Sequence, residues 1–200
     1  MSSFSISESI EFGWKTVKVH SALVFKVVLT LLAVQVAYSI VTKVLAGTAL
    51  GFTAGAVLFV MSVVFGVGAT LISLKLAKGE HAVYADIVPP ARLIWWYVCA
   101  SILAGLIVVL GLILLIIPGI YFVLRYSMVR FAILEGAGIT ESLGKSAKMT
   151  EGVKWHLLGF FAVMILLNIA GALVFLVGLL VSIPVSTIAY AHVYTKLRSR

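Results

Sequence analysis

Charge is what this chain has least of. Of 200 residues only 11% are Asp, Glu, Lys or Arg and just seven are acidic, while 62% are hydrophobic and the mean hydropathy is +1.20. Soluble domains carry about a quarter of their residues as charges, so a water-soluble fold is excluded and the bilayer is the expected solvent. The seven acids, Glu8, Glu11, Glu80, Asp86, Glu135, Glu141 and Glu151, all fall outside the long apolar runs. No carboxylate-lined proton or cation path can therefore cross the membrane. Cys99 is the only cysteine, which excludes an intrachain disulfide, a multi-cysteine metal site and a CxxC redox motif. The four histidines, at 20, 81, 156 and 192, never share i, i+3 or i, i+4 spacing, so no metal motif is present, and a P-loop is missing as well. With no convergent polar groups, neither an enzyme activity nor a cofactor is expected. Prolines number four and form no linker, so residues 1–200 read as a single integral membrane domain. No short apolar segment with a small-residue cleavage site opens the chain, so its first long apolar run is expected to remain as a span.

What is present is an ordered series of apolar runs. Ser5-x-x-Glu8 has capping-box spacing, and Ile6, Ile10, Gly13, Trp14 and Val17 then recur every three or four residues opposite Glu8, Glu11, Lys15 and Lys18. This predicts an amphipathic helix over 5–19 lying in the interface, or packing on the cytoplasmic end of a bundle. Spans follow at about 22–42, with Lys26 snorkelling at its start, and 52–76, where Gly51-x-x-x-Gly55 offers a close helix approach. After a polar connection broken by Pro89-Pro90, spans at 93–116 and 120–134 share an interval with no charge between Arg92 and Arg125, and Pro118-Gly119 is read as the turn between them. A second interfacial helix is expected at about 139–152. The last interval, uncharged between Lys154 and Lys196, divides into spans at 155–176 and 178–197 with a turn near Val177-Gly178 and Pro184 inside the final one. The expected fold is all-α: a polytopic membrane helical bundle of six transmembrane helices plus two interfacial amphipathic helices.

Six spans put both termini on one side, together with the connections at 75–92 and 135–154. Lys43, the intramembrane Arg125 and the span-end Arg130 aside, every Lys and Arg lies there, and the positive-inside rule makes that side the cytoplasm of a bacterial-type inner membrane. Trp14, Trp95, Trp96 and Trp155 also fall near cytoplasmic helix ends. Such a basic face suits anionic inner-leaflet lipids, which attract each cation by about 1 kcal/mol near the surface. The same pattern argues against nucleic acid as a partner.

The two halves echo each other. Ile6-Ser7-Glu8-Ser9-Ile10 matches Ile139-Thr140-Glu141-Ser142-Leu143 in residue type at an offset of 133, and Lys15 and Lys148 keep that offset. A degenerate repeat in parallel orientation, about a pseudo-two-fold axis along the membrane normal, is the expectation. Ala147 stands where the first copy has Trp14.

The Ser-x-x-Glu-Ser-Ile-x-x-Gly-Trp opening, the Ile-Pro-Gly-Ile-Tyr segment from Ile117, and the Glu-Gly and Glu-Ser-Leu-x-x-Ser elements from Glu135 and Glu141 together resemble a family. It is the membrane domain fused to some glycerophosphodiester phosphodiesterases, with related stand-alone bacterial integral membrane proteins. The resemblance covers nearly the whole chain and is strongest from Ile117 to Trp155. It implies a membrane module without the soluble hydrolase, and brings no catalytic residues.

Arg125 is the sharpest single feature. It precedes the cytoplasmic end of its span by about nine residues, roughly 14 Å at helical rise, and a buried arginine costs several kcal/mol unless paired. No span holds an acid, so its expected partners are neutral oxygens, with Gln35, Tyr38, Asn168 and backbone carbonyls as internal choices, or a lipid phosphate or transported anion from outside. Arg130 is shallow enough to snorkel. Candidate lipid or anion contacts are accordingly Arg125, Arg130, Lys145, Lys148, Lys154 and Trp155. The leading expectation is a non-enzymatic module that packs with anionic lipid, a second copy or a membrane partner; a small anion or amphiphile transporter centred on Arg125 is the alternative.

Overall fold

The computed structural model describes residues 4–174 and 178–199, and the side chains of all of these but 114, 116 and 117. Every regular element among them is helical. In order they are α1 (Ile6–Val19), α2 (Ser21–Val44), α3 (Ala49–Ala77), a 3₁₀ turn at Tyr84–Ile87, α4 (Ala91–Leu114), α5 (Ile116–Arg125), α6 (Val129–Leu134), α7 (Ile139–Met149), α8 (Lys154–Leu173) and α9 (Leu179–Arg198). Four of them, α2, α3, α4 and α8, are long and apolar enough to cross a membrane, which marks a multi-pass membrane protein. Their outward faces present side chains such as Leu29, Ile40, Ile113 and Leu166 with nothing packed over them, as expected when hydrocarbon rather than water surrounds the bundle.

The expected sixth span is α9, 20 residues long but too rich in Ser, Thr, Tyr and His to match those four in hydropathy. Packing explains the composition. α9 is flanked by α1, α2, α3 and α8, and from Ser182 to Leu197 it buries side chains on nearly all of its faces. A helix enclosed by protein can carry polar side chains if neighbours satisfy them: Ser182 Oγ donates to Asn168 Oδ1 at 2.9 Å and Asn168 Nδ2 donates to Ser186 Oγ at 3.1 Å, clasping α8 to α9. Of the expected turn near Val177-Gly178, Val177 and the end of the 155–176 span lie outside the described residues. Gly178 stands just before α9.

The expected fourth span is built differently from the prediction. Pro118-Gly119 is not the turn. The reversal is at Leu115, whose extended backbone (φ −164°, ψ 147°) separates α4 from α5, and Pro118 sits inside the first turn of α5. Its missing N–H costs nothing there, because the first four helical N–H groups have no partner within the helix. Gly111 and Gly119 then face each other, and a Cβ on Gly111 would come within 3.3 Å of the Gly119 Cα, so the α4–α5 hairpin closes tightly. The helix breaks again at Tyr126–Met128, leaving α5 and α6 as two pieces that both pack along α4.

α1 packs on the bundle, one of its two expected placements: it runs antiparallel along α9, with Glu8 3.1 Å from Lys196, Phe12 stacked on the His192 ring and Gly13 against Val185 and Ala189. Ser5 accepts the Glu8 N–H at 3.4 Å, but the Glu8 carboxylate pairs with Lys196 and does not complete the capping box. Gly51 and Gly55 are buried within the α2–α3 hairpin, Gly51 against the Leu45 backbone, and mediate no distant helix contact.

α2–α3 and α8–α9 are each packed hairpins, and α3 meets α9 between them. The equivalent positions Ser9, Gly13, Val17 and Ser142, Ser146, Thr150 are buried on α1 and α7. Their docking differs, however: α1 lies on α9, while α7 lies on α4 and α6.

The connection before α4 is held by Asp86, which accepts from Lys75 Nζ at 2.6 Å and from the Val83 N–H at 2.9 Å. Burial raises the Asp86 pKa, but these two donors outweigh it and hold the carboxyl below its ordinary value. Its contribution is therefore present at neutral pH and fades as pH falls through that lowered value.

A Cβ on Gly13 would stand 2.6 Å from the Val185 carbonyl oxygen, whereas one on Gly66 would meet nothing within 4 Å. Gly13→Val is expected to destabilise by about 1–3 kcal/mol or more through overpacking, with Gly66→Ala near neutral, read from the thermal midpoints of detergent-solubilised protein. Equal midpoints would contradict the α1–α9 contact.

Candidate functional site

The chemistry of this fold gathers around the break between α5 and α6. Breaking a helix frees backbone groups that hydrocarbon cannot satisfy, and here α7 supplies the missing partners. The Met128 N–H donates to Ser146 Oγ at 3.1 Å, Ser146 Oγ donates to the Arg125 carbonyl at 2.8 Å, and Thr150 Oγ1 reaches the same carbonyl at 3.3 Å. Ser146 and Thr150 are fully buried. From α9, the Tyr190 hydroxyl donates to the Ser127 carbonyl. The spacing Ser142-x-x-x-Ser146-x-x-x-Thr150 puts three hydroxyls on one helix face, a signal that sequence reasoning passed over because α7 was read as interfacial.

With its backbone tied down, Arg125 sends its side chain away from the bundle interior. Nη1 donates to the Tyr121 hydroxyl at 3.0 Å, and Lys154 Nζ reaches the same oxygen at 3.2 Å from the first turn of α8. Both cations also lie over the Tyr121 ring. The expected internal network does not form: Gln35 is exposed on α2, Tyr38 bonds neither arginine through its side chain, and Asn168 is engaged with Ser182 and Ser186. Arg125 Nε is buried without a partner. Among the described residues neither Arg125 nor Lys154 forms an ion pair with an acid. Beside them is a cleft of about 460 Å³ lined by Ile120, Tyr121, Leu124, Gly152, Lys154, Trp155 and Leu158, with Trp155 86% exposed. Three of the predicted contact residues, Arg125, Lys154 and Trp155, thus come together.

No known family, curated protein or solved structure matches this chain.

The other predicted residues lie elsewhere. Lys145 is exposed and paired with Glu141 at 2.7 Å one turn earlier on α7; Lys145 and the Gly138 N–H together hold the Glu141 carboxyl below its ordinary range. Lys148 is exposed on the same helix. Arg130 belongs to a second, larger cavity of about 830 Å³ between α4, the α5–α6 segment and α8, with Tyr190 of α9 at its back. There its guanidinium lies beside the Tyr97 and Tyr190 hydroxyls. Among the described residues no group of three His, Cys, Asp or Glu side chains is arranged to hold a metal ion.

At the end of the bundle that carries both chain termini, Glu135 accepts from Arg198 Nη1 at 2.6 Å and from the Tyr194 hydroxyl at 2.7 Å, with Lys78 at 3.4 Å. This ties α3, α6 and α9 together. Glu135 therefore has its own cations at this end of the bundle.

Ser146→Ala removes the acceptor of the Met128 N–H and a donor to the Arg125 carbonyl at once. It is expected to cost about 1–3 kcal/mol, while Ser142→Ala, whose hydroxyl bonds only the Ile139 carbonyl one turn back, costs less than about 1 kcal/mol. Thermal unfolding of the two variants in one detergent checks this, and equal losses would contradict the role given to Ser146.

Proposed function

We propose that this protein is a non-enzymatic inner-membrane module of six crossings that binds anionic lipid at its basic cytoplasmic face. The observation that carries the reading is the convergence of Arg125 and Lys154 on one tyrosine hydroxyl, without a carboxylate, at the mouth of an apolar cleft with an exposed tryptophan. Two donors sharing a neutral oxygen leave positive charge and N–H capacity unfilled, which a lipid phosphate satisfies through charge-assisted bonds. The cleft beneath accepts the first methylenes of an acyl chain, and an indole at that level favours the headgroup boundary.

In the six-crossing arrangement, α5 and α6 form one interrupted crossing beside α4 and α9 is the last, screened by its neighbours. Both termini then face the cytoplasm with most of the cations. The resemblance of the Ile117–Trp155 motifs to the membrane domain of glycerophosphodiester phosphodiesterases supports a lipid-facing module of the same kind. Transport centred on Arg125 draws less support, because that side chain ends beside the exposed Tyr121 and not on an interior path.

Protein purified in mild detergent from vesicles containing both phosphatidylglycerol and phosphatidylcholine is expected to retain the anionic lipid preferentially. Arg125→Gln with Lys154→Gln should lower that retention several-fold in native mass spectra without changing the elution volume. Retention of both lipids in proportion to their supply, or an undiminished preference in the double variant, would contradict the assignment.

A further inference from the structure

The 830 Å³ cavity at Arg130 adjoins the Arg125–Lys154 cleft along Ile120, Leu124 and Leu158 but has polar groups of its own. Arg130, Tyr97, Ser101 and Tyr190 line it together, while Asn168, which also lines it, is engaged with Ser182 and Ser186. Arg130 brings a guanidinium with five N–H donors and, among the described residues, no acidic partner. The Tyr190 hydroxyl spends its hydrogen on the Ser127 carbonyl and so has none to offer a ligand in the cavity it shares with Arg130. Tyr97 lines the cavity with them, and among the described residues its hydroxyl donates to no acceptor. Ser101, one turn further along α4, has a buried hydroxyl with no hydrogen-bond partner. Buried polar groups are nearly always paired, so an orphaned hydroxyl beside an uncompensated guanidinium indicates an acceptor-rich group that belongs there. No acid lines the cavity to supply one.

Apart from these polar groups the walls are aliphatic and aromatic, Val108 and Ile165 among them. α4 and α8 form opposite walls without packing extensively on each other. The cavity is open, not enclosed, and its outer wall is the apolar surface that faces lipid. At roughly 30 Å³ for each water-sized group it accommodates on the order of 25–30 non-hydrogen atoms, enough for a head group and one acyl chain. Its size is also within the ~300–1,000 Å³ range of pockets that enclose small organic ligands.

We infer that this cavity binds one single-chain anionic amphiphile, whose carboxylate or phosphate is held by Arg130, Tyr97 and Ser101 and whose chain lies between α4 and α8. The cavity shares Ile120, Leu124 and Leu158 with the Arg125–Lys154 cleft, but its polar groups are its own and the inference does not rest on the lipid binding proposed there. A fatty-acid carboxylate and a lysophospholipid phosphate present the same chemistry to Arg130, so both are tested.

The test uses the full chain in phosphatidylcholine nanodiscs with radiolabelled hexadecanoate, after subtraction of protein-free discs. Saturable binding near one per chain is expected, with competition by single-chain lysophosphatidate but not by inorganic phosphate or diacyl phosphatidylglycerol. Arg130→Gln should weaken binding at least tenfold and Tyr97→Phe several-fold. Gly105→Leu guards against a variant that fails to fold: Gly105 lines the cavity, and a Cβ there meets nothing within 4 Å, so the larger side chain fills the site without a clash at Cβ and should also abolish binding. Arg125→Gln with Lys154→Gln should leave binding unchanged. No saturable binding, or full binding in both Arg130→Gln and Gly105→Leu, overturns the inference. Competition by inorganic phosphate or phosphatidylglycerol at equal concentration overturns the single-chain assignment.

Discussion

Three hydrogen bonds between α7 and the backbone at Arg125–Met128 are the constraint on which the rest of this structure depends. A helix interrupted in apolar surroundings leaves N–H and C=O groups that cost several kcal/mol each if unmet. Ser146 and Thr150 meet them, and that obliges α7 to dock against α4 and α6. With α7 fixed there, the chain re-enters the bundle at Lys154, next to Tyr121. The position of the α5–α6 break, the burial of α7 and the meeting of Arg125 with Lys154 are thus one arrangement seen from three sides.

The break also separates two cations that look alike in sequence. Arg125 ends α5 and turns outward to Tyr121, while Arg130, in the first turn of α6, sits in the cavity between α4 and α8. An unbroken helix would place residues five apart well round its circumference from each other, but on one rigid rod. The interruption lets each arginine border its own recess, one beside an exposed tryptophan and one at the open cavity between α4 and α8. Among the described residues neither has a carboxylate partner, and Glu135 is held by Lys78, Arg198 and Tyr194.

Much of the fold was legible in the sequence because apolar runs long enough to span, and the charges between them, report directly on the solvent around a helix. The helices at 21–44, 49–77 and 91–114 follow from that pattern. What was not legible depended on partners distant in sequence. Pro118-Gly119 carries a strong local turn signal, yet proline is equally at home in a first helical turn, and only the α4 contact decides between the two. α1 has the alternation of an interfacial helix, but the same face suits a groove on α9 once Gly13 allows close approach. The candidate site divides the same way: Arg125, Lys154 and Trp155 were identifiable as charge and indole at an interface, whereas Ser101, Tyr97 and Tyr190 are ordinary helix residues until folding sets them around Arg130.

The central claim is that α5 and α6, though broken, form one crossing antiparallel to α4. Single cysteines introduced into a Cys99→Ser background, labelled with a membrane-impermeant reagent in sealed cells and inverted vesicles, test it most directly. The account predicts that Leu115→Cys and Thr48→Cys label only from outside and Lys145→Cys only from the cytoplasm. Labelling of Leu115→Cys from the same side as Lys145→Cys would contradict it.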